Sequence, residues 1–255
     1  MTLHAHPLPA FHDNYIWCLA QDGHALVVDP GDPAVVQAWL QENQLVLDVI
    51  LVTHHHPDHT AGLPALLATH QPRIYGPDED IKDVQHILKG GETLDLGPFG
   101  QAEVLATPGH TRAHISYYLP AAGLLFCGDT LFSAGCGRLF EGTATQLYHS
   151  LQALAALPDD TQVCCTHEYT TANLRFAAAA EPGNPARVAR AAEVQALREQ
   201  NRPSLPVSLG REKTYNPFLR CEEPGVLQAL AAETGAAVAP GIPALTALRA
   251  WKDRF

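Results

Sequence analysis

Four times within the first 167 residues, an apolar, strand-like run ends in a small residue or a turn and then in a side chain that ligates metals well. Leu47-Asp48-Val49-Ile50-Leu51-Val52 leads into Thr53-His54-His55-His56-Pro57-Asp58-His59. Glu103-Val104-Leu105-Ala106 leads through Thr107-Pro108-Gly109 to His110, and Leu124-Leu125-Phe126-Cys127 leads through Gly128 to Asp129. Thr161-Gln162-Val163-Cys164-Cys165 leads through Thr166 to His167. Folds that alternate strands and helices place their chemistry at the carboxyl ends of the strands. The repetition therefore asks for an α/β fold in which several strand ends serve one site.

The first run is the densest. Its His-x-His-x-Asp-His pattern puts four ligands in six residues, and no packing requirement explains it. Imidazole and carboxylate together suit zinc and similar divalent ions. Four residues of one tight loop cannot all reach a single ion, so the three later segments supply candidates for the remainder. The set is His54, His56, Asp58, His59, His110, Asp129 and His167, enough for two ions that share one carboxylate. Asp58 reads either as a ligand or as a general base.

Periodicity organises the rest. Leu3 to Leu8, Tyr15 to Ala20 and Ala25 to Val28 read as consecutive strands. Asp32 is placed to cap a helix from Pro33 to Asn43, with proline at its first position. The apolar run 47–52 is a buried strand, and 63–70 a helix. Strands follow near 92–96, 102–107, 114–119 and 123–127, then a helix from Thr143 to about Leu157 and a strand over 161–165. From residue 168 the pattern changes to helices over 172–180, 185–200, 224–233 and 242–252, with a Pro-, Ser- and Gly-rich loop over 201–220. The expected division is a metal-binding domain over 1–167 and a helical domain over 168–255.

Charge follows the same division. Residues 1–167 carry five Lys/Arg against eighteen Asp/Glu and all fourteen His, whereas residues 168–255 carry eleven Lys/Arg against nine Asp/Glu. A net charge of −11 argues against a nucleic-acid partner. No apolar run approaches the ~20 residues of a membrane helix, and the start lacks the basic and apolar regions of a secretion signal. A cytoplasmic monomer is expected. The six Cys show neither a zinc-ribbon spacing nor a disulfide framework, so they are expected as free thiols. Cys18, Cys127 and Cys164 should lie in the core.

The ligand residues resemble those of the metallo-β-lactamase superfamily. Within it the chain is similar to the glyoxalase II (hydroxyacylglutathione hydrolase) family. The narrower likeness rests on Phe11-x-Asp13-Asn14-Tyr15-Ile16-Trp17, Asp29-Pro30-Gly31, Thr107-Pro108-Gly109-His110-Thr111 and Gly128-Asp129-Thr130-Leu131-Phe132. It rests further on Gly135-Cys136-Gly137-Arg138, Glu141-Gly142-Thr143, His167-Glu168-Tyr169-Thr170, Thr214-Tyr215-Asn216-Pro217-Phe218 and Arg249-x-x-Lys252. The resemblance implies an αββα four-layer sandwich followed by a small C-terminal helical domain. It assigns His54, His56 and His110 to one metal, Asp58, His59 and His167 to another, and Asp129 to a bridge. Zinc is the expected ion, with iron or manganese as alternatives.

The implied reaction is hydrolysis of S-(2-hydroxyacyl)glutathione, chiefly S-D-lactoylglutathione, by a hydroxide held between two ions, with Asp58 and Asp129 as the catalytic carboxylates. A thiolate leaves readily because its reference pKa lies near 8.5, so no strong acid is required. The glutathione moiety carries two carboxylates, and the resemblance gives it Arg138, Tyr169, Arg249 and Lys252. Arg138 stands where lysine is frequent and Phe140 where tyrosine is, which removes a hydroxyl contact and changes a cation's geometry. The competing reading in the same superfamily is an iron-dependent persulfide dioxygenase, which lacks the long helical tail. Asp29 is equally readable as a turn residue or as a group that orients a ligand histidine. His55 and His114 are read as structural, and Asn14 and Tyr15 as lining the site.

Overall fold

The computed structural model describes residues 3–255. Met1 and Thr2, on which the reading of the start partly rests, lie outside the described residues. In chain order the elements are β1 (His6–Ala10), β2 (Asn14–Gln21), β3 (His24–Val28), α1 (Pro33–Glu42), β4 (Val46–Leu51), a single turn α2 (Pro57–Thr60), α3 (Leu63–Leu67), β5 (Arg73–Pro77) and β6 (His86–Leu88). Next come β7 (Thr93–Asp95), β8 (Gln101–Ala106), β9 (Ile115–Leu119), β10 (Leu124–Phe126), β11 (Leu131–Phe132), β12 (Gly135–Cys136), α4 (Ala144–Ala155) and β13 (Gln162–Val163). The chain closes with α5 (Thr170–Ala180), α6 (Pro185–Glu199), β14 (Val207–Ser208), α7 (Leu209–Tyr215), α8 (Pro224–Thr234) and α9 (Ile242–Lys252).

Compactness divides the chain into two units. One runs to Ala106 and takes in Arg112–Gly128 and Val163–His167; the other holds Thr107–Thr111, Asp129–Gln162 and Glu168–Phe255.

The first unit contains one six-stranded sheet and strands β7 to β10 of another. One has the order β1-β2-β3-β4-β5-β6, antiparallel through β1, β2 and β3 and parallel from β3 to β6. Its strands are apolar on both faces, as a sheet covered on both sides requires. Ile16, Cys18, Ala25, Val27, Ile50 and Val52 share a core with Val36 and Leu40 of α1 and Leu63 and Leu66 of α3. The alternate residues Trp17, Leu19, Leu26, Val28, Val49 and Leu51 are equally buried. In the other sheet β7, β8, β9 and β10 run as an antiparallel meander, and Cys164, just past β13, donates its N–H to the Leu125 carbonyl. The two sheets are tied within this unit by Tyr117, whose hydroxyl donates to the Val52 carbonyl at 2.8 Å. A second tie is the N–H of Ile115 to the Thr53 carbonyl at 3.0 Å.

Local chemistry explains the helix starts. The Asp32 carboxylate accepts from the N–H of Ala34 at 2.9 Å, with Pro33 opening α1. Thr143 and Gln146 form a reciprocal capping box that starts α4. All six cysteines are free and buried.

In the second unit, α7 occupies the stretch expected as loop, and β14 is a two-residue strand beyond residue 168. The prolines at 203 and 206 and the glycine at 210 hide α7 from a periodicity argument, yet its buried Glu212 holds the neighbourhood together. The Glu212 side chain accepts from the Ser133 hydroxyl at 2.6 Å, the Ala134 N–H at 2.8 Å and the Tyr215 hydroxyl at 2.6 Å. Burial pushes its carboxyl up even against these donors. Glu212→Ala strands several buried donors at once and is expected to cost about 3 kcal/mol or more of stability, read from urea unfolding. A loss within about 0.5 kcal/mol, the size of an ordinary surface substitution, would remove this role.

Candidate active site

Every predicted metal ligand lies just beyond the carboxyl end of a strand. His54 and His56 follow β4, His110 follows β8, Asp129 follows β10 and His167 follows β13. Asp58 and His59 sit in α2, a turn of helix where the sequence suggested continuous loop, because Pro57 opens it. Gly31 lets this turn approach closely: a Cβ there would lie 1.9 Å from the Asp58 carbonyl oxygen.

Five of the seven candidate ligands belong to the first unit. The Nε2 of His54 faces the Nδ1 of His56 at 3.0 Å. The ligating atoms of Asp58, His59 and His167 all lie within 4.8 Å of one another. His59 Nε2 is 3.3 Å and His167 Nε2 is 3.4 Å from Asp58 Oδ2. Burial alone would raise the Asp58 carboxyl, but the imidazoles of His167 and His59 and the Asn14 amide hold it well below the usual carboxylate range.

The rings are pinned from behind. His59 Nδ1 lies 3.0 Å from Asp29 Oδ2, His167 Nδ1 lies 2.7 Å from Asp13 Oδ1, and His54 Nδ1 lies 3.1 Å from the Thr53 hydroxyl. A ring held through Nδ1 turns its Nε2 lone pair to the site, the usual arrangement of metal-ligating histidines. Asp29 is thus a positioning residue as well as a turn residue. It adopts a left-handed φ of 53°, and its carboxylate also accepts from the Thr53 N–H and hydroxyl, both at 2.8 Å. Strain of this kind is held by surrounding structure and gathers at functional sites. Asn14 donates its amide to Asp58 Oδ2 at 3.0 Å. His55 is turned aside and bonds Glu79 through both its N–H and its ring. His114 stacks on His54 with centroids 4.9 Å apart, as a structural residue would. The donor set and its backing fit a divalent cation.

The other two ligands lie in the second unit. His110 Nε2 is 3.5 Å from Asp129 Oδ2, and its Nδ1 is fixed by the Arg138 carbonyl at 2.9 Å. Both side chains open on a cavity of ≈ 550 Å³ that is also lined by Arg138, Tyr169, Arg249 and Lys252, all four of the expected glutathione contacts. Gly137 makes the packing possible, since a Cβ there would lie 1.9 Å from the Asp129 carbonyl oxygen and 3.3 Å from His110 Nδ1. Gly137→Ala must displace one of the two. A shift near 1 Å costs roughly a hundredfold in rate, so activity and metal content are expected to fall together while the chain stays folded. Normal metal content with normal activity would show that the loop yields freely.

The Arg249-x-x-Lys252 pair is not a solvated helix face. Arg249 is 4% exposed, donates from Nη1 to the Cys136 carbonyl at 3.0 Å and from Nη2 to Asp253 Oδ1 at 2.9 Å, and lies 5.3 Å from the Phe218 ring centroid. Lys252 Nζ sits 5.1 Å from the Phe176 ring centroid. Burial, with Arg249 beside it, pushes the Lys252 ammonium down to about 8. Phe140 places an aromatic edge 5.2 Å from the His110 ring, with no hydroxyl to offer.

Sequence reasoning gave no role to Asp13 or Glu79 and did not single out Arg175, which also lines the cavity. A carboxylate immediately before a strand, as Asp13 is before β2, carries no local sign that it will meet a histidine 154 residues away.

Comparison with known proteins agrees with this geometry. Residues 11–167 match the profile of the metallo-β-lactamase superfamily, and residues 168–255 that of the hydroxyacylglutathione hydrolase C-terminus. The chain is 54% identical over 252 residues to a hydroxyacylglutathione hydrolase of Chromohalobacter salexigens and 51% identical over 257 residues to one of Shewanella loihica. Each comparison covers 98% of both chains. Among solved structures it is similar to ETHE1 from Myxococcus xanthus, at 25% identity and a TM-score of 0.66, over 99% of this chain and 100% of that one. It is similar also to the BLEG-1 B3 metallo-β-lactamase, at 25% identity and a TM-score of 0.64, over 86% of this chain and 99% of that one. The α/β fold is therefore the metallo-β-lactamase sandwich with a helical C-terminal region. Matched in both segments and along nearly its whole length, the chain belongs to the hydroxyacylglutathione hydrolase family of the metallo-β-lactamase superfamily.

Proposed function

We propose that the chain hydrolyses S-(2-hydroxyacyl)glutathione, S-D-lactoylglutathione above all, with water to glutathione and a 2-hydroxycarboxylate such as D-lactate. This is the second step of methylglyoxal detoxification. The observation that carries the reading is the cavity, in which two metal-ligand residues, His110 and Asp129, share one wall system with Arg138, Arg249 and Lys252. Asp129 is the single acidic side chain among the described residues that line it. Such a cavity suits a dianionic ligand. It offers no second acidic side chain to protonate a poor leaving group, which favours a thioester over an amide.

His54, His56 and His110 would hold one ion and Asp58, His59 and His167 the other, with Asp129 shared. Zinc is the proposed metal. Divalent ions so held supply Lewis acidity, acidifying water and polarising a carbonyl oxygen. The protein's own residues do the rest: Asp29 and Asp13 hold the rings of His59 and His167, and Arg249 and Lys252 supply a positive field for the glutathione carboxylates. Residues 1–167 form the catalytic segment and 168–255 the glutathione-binding one. Among the described residues no helix is long and apolar enough to cross a membrane. With six free buried thiols, this supports a reducing, cytoplasmic setting; we take the enzyme as a monomer.

Lys252 sets the pH dependence of binding. It is cationic below about 8 and neutral above, while the substrate's carboxylates stay ionised throughout. KM for the glutathione thioester is therefore expected to rise as pH passes through 8, and Lys252→Arg should flatten that rise. A KM that is level to pH 9.5 in the unaltered enzyme would contradict it.

The direct test is turnover of S-D-lactoylglutathione by purified protein, with metals counted on the same sample. Turnover abolished by a chelator and restored by zinc is the expected result. Two bound metals with no turnover, or iron with oxygen uptake on a persulfide, would overturn the assignment.

A further inference from the structure

We propose that Arg175 is a specificity-determining residue that binds one of the two glutathione carboxylates. The inference rests on the thioesterase reading above and adds a fourth cation to the cavity.

Two of the cavity's other cations are already engaged within the protein. Both terminal nitrogens of Arg249 are engaged, by the Cys136 carbonyl and by Asp253. Buried as it is, Arg249 contributes field more than hydrogen bonds. Arg138 has its Nε 3.7 Å from the same Asp253 carboxylate. Phe140 brings no hydroxyl. Arg175 is exposed, lines this cavity and also a neighbouring one of ≈ 640 Å³, and among the described residues makes neither an ion pair nor a hydrogen bond, so its fork of donors is uncommitted at the edge of the cavity. A guanidinium fork matches a carboxylate in two-point geometry.

Position on the helix supports the same end. Tyr169, Ala172 and Arg175 all line the cavity and are spaced three apart, so they share one face of the α5 segment. Six residues of helix span about 9 Å, close to the ~10 Å reach of an extended tripeptide. Ala172 between them leaves room for a backbone to lie along the face. A glutathione chain running from Tyr169 outward thus meets Arg175 with a terminal carboxylate.

The test uses Arg175→Ala, Arg175→Gln and Arg175→Lys holoenzyme with three D-lactoyl thioesters. One carries glutathione itself, one its glycyl amide, and one an analogue lacking the γ-glutamyl α-carboxylate. For the glutathione thioester, Arg175→Ala and Arg175→Gln are expected to raise KM about tenfold, with kcat and thermal midpoint unchanged. Arg175→Lys should restore part of the loss. The penalty should vanish for one of the two analogues and persist for the other, which identifies the carboxylate. Binding of glutathione alone, followed by calorimetry, should weaken by the same factor. An unchanged KM, or an equal penalty on all three thioesters, would overturn the proposal. If the unaltered enzyme hydrolyses none of the three, the thioesterase reading fails instead, and the calorimetric comparison still judges Arg175.

Discussion

Asp129→Ala is expected to lose metal and hydrolysis together, with activity on S-D-lactoylglutathione falling by roughly three orders of magnitude or more. Asp129 is buried at the cavity wall, 3.5 Å from His110 Nε2, and is the single acidic side chain among the described residues there. A carboxylate is the one common side chain with two anionic oxygens, so neither histidine nor asparagine can fill the bridging place proposed for Asp129. Two readouts are needed, metal per chain by elemental analysis and initial rate on the same preparation. Asp129→Asn keeps the shape and loses the charge, and it should behave like alanine. Full metal content with activity lost would move Asp129 from ligand to another role. Retention of both would end its assignment altogether.

Arg249→Ala should produce two separable losses. Its guanidinium is buried, bonded to the Cys136 carbonyl and to Asp253, and stacked near Phe218. Removing it leaves the Cys136 carbonyl without that donor and opens space against an aromatic ring, for a cost of about 2–4 kcal/mol in unfolding free energy. It also removes a buried positive charge beside the proposed glutathione site, so KM should rise tenfold or more. Lys252→Ala, whose ammonium sits over Phe176 and makes no ion pair that would be stranded, should raise KM with a much smaller effect on stability. The pair of variants therefore distinguishes a residue that builds the cavity from one that only charges it. Arg249→Lys should rescue neither property fully, because a lysine cannot reach two acceptors in fixed planar geometry. Equal KM values for all three proteins would detach this helix from substrate binding.

The strand-end positions of the candidate ligands were legible in the sequence because each is local: an apolar run, a break, a histidine or aspartate. The strands behind them were legible for the same reason, and so was α1, whose start carries Asp32 and Pro33. What escaped is either non-local or too short. Asp13 reaches His167 and Glu79 reaches His55 only after the chain has folded back. The four residues of α2 cannot show a helical period. Arg175 looks like any exposed cation in an alanine-rich helix, and only the cavity distinguishes it. Arg249-x-x-Lys252 shows only a three-residue spacing in the sequence, and the burial of Arg249 cannot be read from spacing.

The Asp13–His167 contact has a consequence for how the protein comes into being. Its two partners are made 154 residues apart, and the His54 to His59 run appears more than 100 residues before His167. At 5–20 residues per second, a ribosome takes roughly 5–30 s to cover such a stretch. During that interval His54, His56, Asp58 and His59 exist without the partner that completes the Asp58–His59–His167 cluster. A chain cut before His167 is therefore expected to hold a divalent ion less tightly than the whole protein, because the Asp58–His59–His167 cluster is incomplete in it.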